Sequence, residues 1–293
     1  MLRKMIGLAA IGLLAMARPA AAIDVMPGDY TVLPPGTNAF LLYGQYATSS
    51  KLKVDGVGSI PGSSLSSVAG IARVLHYNQI AGIPIGLQAF IPFGAITQSR
   101  VGGFPVQRAD GFGDLTVGFT VWPLSSNDPR GTTIGITSYL TLPTGNFRGT
   151  PGTTGVASLG SGAVTFTPQI GLIQGLGNGF FLDLTADVAI RGDSSEMGFR
   201  YTRQASVQVQ GYLRYQFSAA TNVAIGYSGT FGGKDFVNGI YAGTKTRTDQ
   251  LRVTASTFLS PTIQVQGMVG FDVNTEGGFQ QGFVGTLRLM TLF

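Results

Sequence analysis

The sequence predicts an all-β fold: a closed antiparallel transmembrane β-barrel of about 12 strands, with short periplasmic turns and long extracellular loops. Three observations point there. Stretches of about ten residues alternate apolar and polar side chains, the links between them alternate short and long, and an export signal precedes a chain with no cysteine.

The alternation is clearest along Phe180 to Arg191. Phe180, Leu182, Leu184, Ala186, Val188 and Ile190 take one parity, and Asp183, Thr185, Asp187 and Arg191 take the other. From Gln204 to Phe217, Ala205, Val207, Val209, Leu213, Tyr215 and Phe217 oppose Gln204, Ser206, Gln208, Gln210, Tyr212, Arg214 and Gln216. A period of two marks strands, with one face suited to lipid and the other to water.

In chain order the strands are expected at 39–48, 67–77, 83–93, 113–122, 132–142, 163–174, 180–191, 203–217, 223–231, 249–259, 263–273 and 282–293. The even-numbered links NQIAG, PLSSNDPRG, QGLGNG, SAATN and SPT are compact and rich in turn formers. The odd-numbered links 49–66, 94–112, 143–162 and 232–248 are longer, the asymmetry expected when both termini are periplasmic. Ten residues tilted by about 40° climb about 26 Å, matching an apolar band of about 25 Å.

Residues 1–22 read as a secretory signal peptide: Arg3 and Lys4 precede an apolar run from Met5 to Met16, and Ala20, Ala21 and Ala22 suit cleavage. Setting aside Arg3, Lys4 and Arg18 leaves 16 basic against 14 acidic residues, which is no nucleic-acid footprint. Only 11% of residues are charged, too few to coat a soluble globule. Residues 23–38, with Pro27, Pro34 and Pro35, do not suit a central strand and form either a periplasmic leader or a plug entering the barrel that occupies residues 39–293.

Charge tests the assignment independently. Asp114, Asp183, Asp187, Arg191, Arg214, Arg252, Asp272 and Arg288 all take the lumen parity, whereas Arg73 lies on a strand whose faces the pattern leaves open. With Gln208, Gln210, Gln264 and Gln266 they are the expected lumen-lining residues, polar yet nearly balanced in charge. Such a lumen suits neutral or weakly charged solutes rather than strong ion selection. Wall-to-wall pairing is the structural reading, and Asp183 with Arg214 is the pair that adjacent strands favour. Tyr77, Trp122, Phe180, Tyr215, Phe217 and Phe293 collect near the periplasmic ends, as an interfacial girdle would.

Little points to catalysis. His76 is the only histidine, sits at a strand end beside Tyr77 and reads as interfacial, which disfavours a histidine-based lipid hydrolase and most metal sites. GFGDLTVG (111–118) opens a strand rather than a helix, so it reads as a turn and not a dinucleotide loop. No catalytic, cofactor-binding or metal residue is assigned.

The segments DYTVLPPGTNAFLLY (29–43), GFGDLTVGFTVWP (111–123), SYLTLPTGNF (138–147) and FTPQIGL (166–172) resemble the meta-pathway phenol degradation proteins, a family regarded as outer-membrane barrels. That resemblance implies a transporter-like role for aromatic or other hydrophobic compounds, without a reaction. The final strand also resembles the assembly signal of outer-membrane proteins: Phe283, Leu287, Leu289 and Phe293 share one face, implying that the barrel-assembly machinery recognises Phe293, although Thr291 departs from the apolar pattern. The expected function is therefore an outer-membrane channel for small, neutral, hydrophobic or aromatic solutes, with outer-membrane lipid as its surroundings. A structural or surface-interaction barrel with a plugged lumen is the alternative.

Overall fold

The computed structural model describes residues 24–106, 110–145, 159–196 and 198–293. The expected signal peptide and the middle of the 143–162 link lie outside them.

Twelve strands form the wall: β1 (Asn38–Val54), β2 (Ser64–Ile80), β3 (Ile83–Val101), β4 (Thr116–Leu124), β5 (Thr132–Thr141), β6 (Thr165–Gly177), β7 (Phe180–Arg191), β8 (Ser206–Gln216), β9 (Thr221–Gly232), β10 (Thr246–Ser260), β11 (Ile263–Glu276) and β12 (Gly278–Leu292). Each pairs antiparallel with the next, and β12 pairs with β1 from Ala39↔Leu292 to Lys53↔Gly278, which closes the barrel. At the seam Phe293 N donates to Asn38 O (3.0 Å) and Asn38 N to Phe293 O (2.8 Å), so the last residue satisfies the first. Closure leaves no free sheet edge, the condition for β-structure in hydrocarbon.

Outward positions form an exposed apolar belt, with Leu42, Val74, Leu87, Phe119, Ile136, Ile170, Leu184, Leu213, Ile225, Val253, Val269 and Leu287 each standing on one of the twelve strands. This belt is the lipid-facing band of a membrane-spanning barrel. Two-residue turns lie at the end that carries the termini. Ala81 with Gly82, and Asn178 with Gly179, all have positive φ, which makes two-residue mirror-image turns matched to the twist of their strands.

Three expectations change. The long links are partly strand, with β1 running to Val54, β2 beginning at Ser64 and β3 reaching Val101. Above the lipid both faces meet water, so alternation fades while backbone pairing continues. β4 starts at Thr116 rather than at 113, because the ladder is interrupted at Pro92 on β3, which has no N–H; there Gly113 N donates to Pro92 O (2.8 Å), and pairing resumes beyond it between Asp110–Phe112 and residues 93–95. Finally, Tyr77 and Trp122 do not belong to the lipid-facing girdle: they are 6% and 4% exposed and face inward, whereas Phe180, Phe217 and Phe293 stay exposed.

On the extracellular side, Ser194–Glu196, Phe199–Arg203, Asp235–Val237 and Ile240–Tyr241 make a separate small sheet around buried Tyr201, Val237 and Ala242. It is tied to the β1–β2 hairpin. The Tyr241 hydroxyl donates to Asp55 Oδ2 (2.8 Å), and Lys245 Nζ bridges Asp55 Oδ1 (3.0 Å) and Glu276 Oε2 (2.8 Å). The Tyr241 hydrogen bond, with the Lys245 ammonium beside it, holds the Asp55 carboxyl below the ordinary carboxylate range.

Candidate functional site in the barrel lumen

Residues 24–33 enter the barrel, where the inward side chains of most strands meet them, and exposed Pro34, Pro35 and Gly36 carry the chain out to the rim, with Gly36 N donating to Tyr77 O (2.8 Å). Val25 N donates to Gln210 Oε1 (3.0 Å) and Gly28 N to Asp183 Oδ1 (3.3 Å), placing the segment's backbone against β7 and β8. Met26 packs on Ala39, Leu41, Tyr43 and Met268, an apolar patch of inward side chains near the termini. Burying such a side chain contributes about 1.5–3 kcal/mol.

Its two acids meet wall arginines. Asp24 pairs with Arg252 (3.0 Å) and accepts from Gln208 (3.1 Å) and Gln210 (2.7 Å). Asp29 pairs with Arg288 (2.5 Å) and lies 3.8 Å from Arg73. Arg73, whose strand the alternation left open, therefore faces the lumen; it also donates to Gln88 Oε1 (2.6 Å) and the Tyr43 hydroxyl (3.2 Å).

Tyr30 is buried and fully engaged. Its ring lies over Gly135 and Gly171, which are cross-strand partners on β5 and β6, and a Cβ on either glycine would collide with ring carbons. The hydroxyl donates to Gln169 Oε1 (2.9 Å) and shares a hydrogen bond with Thr137 Oγ1 (3.0 Å). The Trp122 indole N–H donates to the Tyr30 carbonyl (3.0 Å) while its ring stacks on Tyr77, with centroids 5.7 Å apart.

The predicted lumen residues fall into distinct settings. Asp183 and Arg214 join directly (2.8 Å), with the guanidinium over the Phe181 ring at 4.4 Å. Asp187 accepts from Gln169 (3.1 Å), and Asp272 from Gln250 (2.9 Å) and Gln281 N (2.7 Å). Gln264 accepts from Arg288 (2.9 Å), and buried Gln266 stands between Ser256 and Arg288 in register. Asp114 and Arg191 lie higher, tying down the β5–β6 loop: Asp114 accepts from Gly145 N (2.9 Å) and Ser161 N (2.6 Å), and Arg191 donates to the Ser161 carbonyl. Arg252 and Arg288 thus meet acids from the N-terminal segment rather than from the wall. His76 stays at the rim, its Nδ1 2.9 Å from Asn38 Oδ1.

Two small cavities lie beside the segment. One cavity of about 20 Å³ is walled by Tyr30, Tyr77, Trp122, Tyr139, Leu75 and Arg73, and another of about 10 Å³ lies by Val25, Asp183 and Tyr212. Four aromatic side chains line the first, together with Asp29, Gln88, Thr120 and Thr137. Reasoning from sequence missed Tyr30, Gly135, Gly171, Thr137 and Gln169; inward glycines on neighbouring strands were the one available signal of a close approach.

No functionally curated protein matches the chain in sequence. Among solved structures, the COG4313 outer membrane channel from Pseudomonas putida F1 is similar at 28% identity and a TM-score of 0.85, over 92% of this chain and 100% of that one. The Pseudomonas putida toluene transporter TodX shares the barrel fold at 11% identity and a TM-score of 0.51, over 97% of this chain and 96% of that one. The β domain of the Bordetella autotransporter BrkA does so at 7% identity and 0.51, over 86% and 98%. The sequence profile of the family described as "Putative MetA-pathway of phenol degradation" matches residues 44–289, and the chain belongs to that family.

Proposed function

We propose that this barrel is a channel admitting small, neutral, hydrophobic or aromatic solutes across the outer membrane by passive or facilitated diffusion, and that residues 24–33 are its built-in obstruction. The observation that carries the reading is the cavity beside the segment, where Tyr30, Tyr77, Trp122 and Tyr139 share the wall with Arg73 and Asp29, a pair of opposite charges, rather than with a field of one sign. Aromatic walls favour flat apolar solutes through stacking and edge contacts. Arginines neutralised by Asp24, Asp29 and Asp183 leave little net field with which to select an ion.

Two further lines support the proposal. The similar P. putida F1 protein is described as an outer membrane channel, and the family is described by phenol degradation. In this reading Asp114, Asp183, Asp187, Arg191, Gln208, Gln210, Arg214, Arg252, Gln264, Gln266, Asp272 and Arg288 line the path, and several of them also hold the obstruction. Displacement of the segment is, in this reading, the step that admits solute.

Deleting residues 24–36 tests this in planar bilayers. Single-channel conductance should rise. Unchanged conductance in a correctly folded barrel would favour the alternative, a structural or surface-interaction barrel whose lumen stays filled.

A further inference from the structure

The Tyr30 side chain ends in a phenol, so a site shaped for that ring is shaped for free phenol. Gly135 and Gly171 supply a flat floor that any larger residue would fill. At the far end of the ring, Gln169 Oε1 accepts the hydroxyl proton (2.9 Å). The orientation of that amide is set, because its Nε2 donates to Asp187 Oδ2 (3.1 Å). Thr137 Oγ1, 3.0 Å from the hydroxyl, is bonded in turn to Thr120 Oγ1 (2.8 Å). The floor selects a flat ring, and the two polar groups select one that carries a hydroxyl.

The adjoining cavity of about 20 Å³ cannot hold a ring, since a dry protein cavity that takes benzene measures about 150 Å³. An aromatic ligand can occupy this floor only in place of Tyr30. We propose that the Tyr30 seat on β5 and β6 is the channel's recognition site for phenolic solutes, and that a phenol occupying it displaces Tyr30 and removes one of the anchors that hold the N-terminal segment in the lumen, shifting the segment toward release from its remaining ties at Asp24 and Asp29. The inference rests on the channel reading above and adds to it a solute class, a site and a trigger. Tethering raises the local concentration of the Tyr30 ring to at least the order of millimolar, and Asp29 beside it is held by Arg288, so free phenol displaces it only at that concentration or above.

Trp122, the sole tryptophan of the chain, reports the exchange, because its N–H is held by the Tyr30 carbonyl. The experiment titrates the full chain with phenol, reading Trp122 emission in detergent, excited where phenol and tyrosine do not absorb, and ion conductance in planar bilayers. Both should change together and saturate at millimolar phenol or above. Toluene should act about tenfold more weakly, having no hydroxyl to donate. Tyr30→Ala should bind phenol about tenfold more tightly, the internal competitor being gone. Adding Gly171→Val to Tyr30→Ala should abolish binding, with barrel integrity checked by heat-modifiable migration. Gly135→Ala in the same background serves if that pair does not fold.

Phenol-independent emission and conductance in the full chain would overturn the proposal, as would unchanged phenol affinity in the filled double variant. Phenol uptake that persists in the filled variant would sink the seat and leave the channel standing. Uptake by no variant would sink the channel reading itself.

Discussion

Replacing Asp29 with alanine is predicted to open the barrel far more than the same change at Asp24. The carboxylate of Asp29 is 11% exposed and faces two arginines, buried Arg288 at 2.5 Å and partly buried Arg73 at 3.8 Å. Removing one partner of a buried pair costs about 3–5 kcal/mol. The low end applies, because Arg288 keeps Gln264, and Arg73 keeps Gln88 and Tyr43, as acceptors. A loss of about 3 kcal/mol shifts the ratio of docked to displaced segment about 150-fold. The wall does not share that loss, since its strands are joined by the closed backbone ladder. Asp24, by contrast, is 41% exposed in its pair with Arg252, so its contribution is at most about 1 kcal/mol, or a few-fold. Single-channel recording of Asp29→Ala, Asp24→Ala and the parent chain measures the difference. Equal conductance in Asp29→Ala and the parent, with intact heat-modifiable migration, would refute this ranking of the anchors.

Further expectations concern the wall, the loops and the seam. Asp183→Ala strands Arg214 inside the barrel and should lower stability to urea in detergent by about 3–5 kcal/mol; a loss under about 1 kcal/mol would show that Gln216 compensates. The Asp55 carboxyl titrates below its unfolded value, so the tie it makes to Tyr241 and Lys245 is in force above about pH 4 and is lost as pH falls through the depressed folded value. Proteolysis of the extracellular loops should therefore accelerate in acid, and Asp55→Asn should show the faster rate already at neutral pH. Deleting Phe293 removes the hydrogen-bonded pair with Asn38 and the proposed assembly signal, so membrane yield should fall; normal yield and migration would dispose of that role.

Local alternation carried the fold. Phe180 to Arg191 shows its two faces without any knowledge of the neighbouring strands, and the same holds for most of the membrane-embedded wall. It failed on β2, where Ile71 and Leu75 are as apolar as outward Val68 and Val74. These inward residues pack beside Met26 rather than water, so the lumen parity there carries no polarity signal. Trp122 shares its parity with Thr120 and Gly118, so its inward direction was legible in principle, but aromatic character at a strand end outweighed it. The Tyr30 site was not legible, because its partners Thr137 and Gln169 lie 107 and 139 residues away and meet it only after the barrel closes. Gly135 and Gly171 advertise a close approach to the wall, but not by what.

Reconstituting the full chain and a chain lacking residues 24–36 in liposomes with a lipopolysaccharide outer leaflet, which slows unassisted entry, would measure solute passage itself. Uptake of phenol should exceed that of a sugar of similar size in the full chain, and the deletion should speed both and narrow the gap between them. Equal, slow uptake of the two solutes by both chains would contradict a channel governed by the segment that Tyr30 anchors.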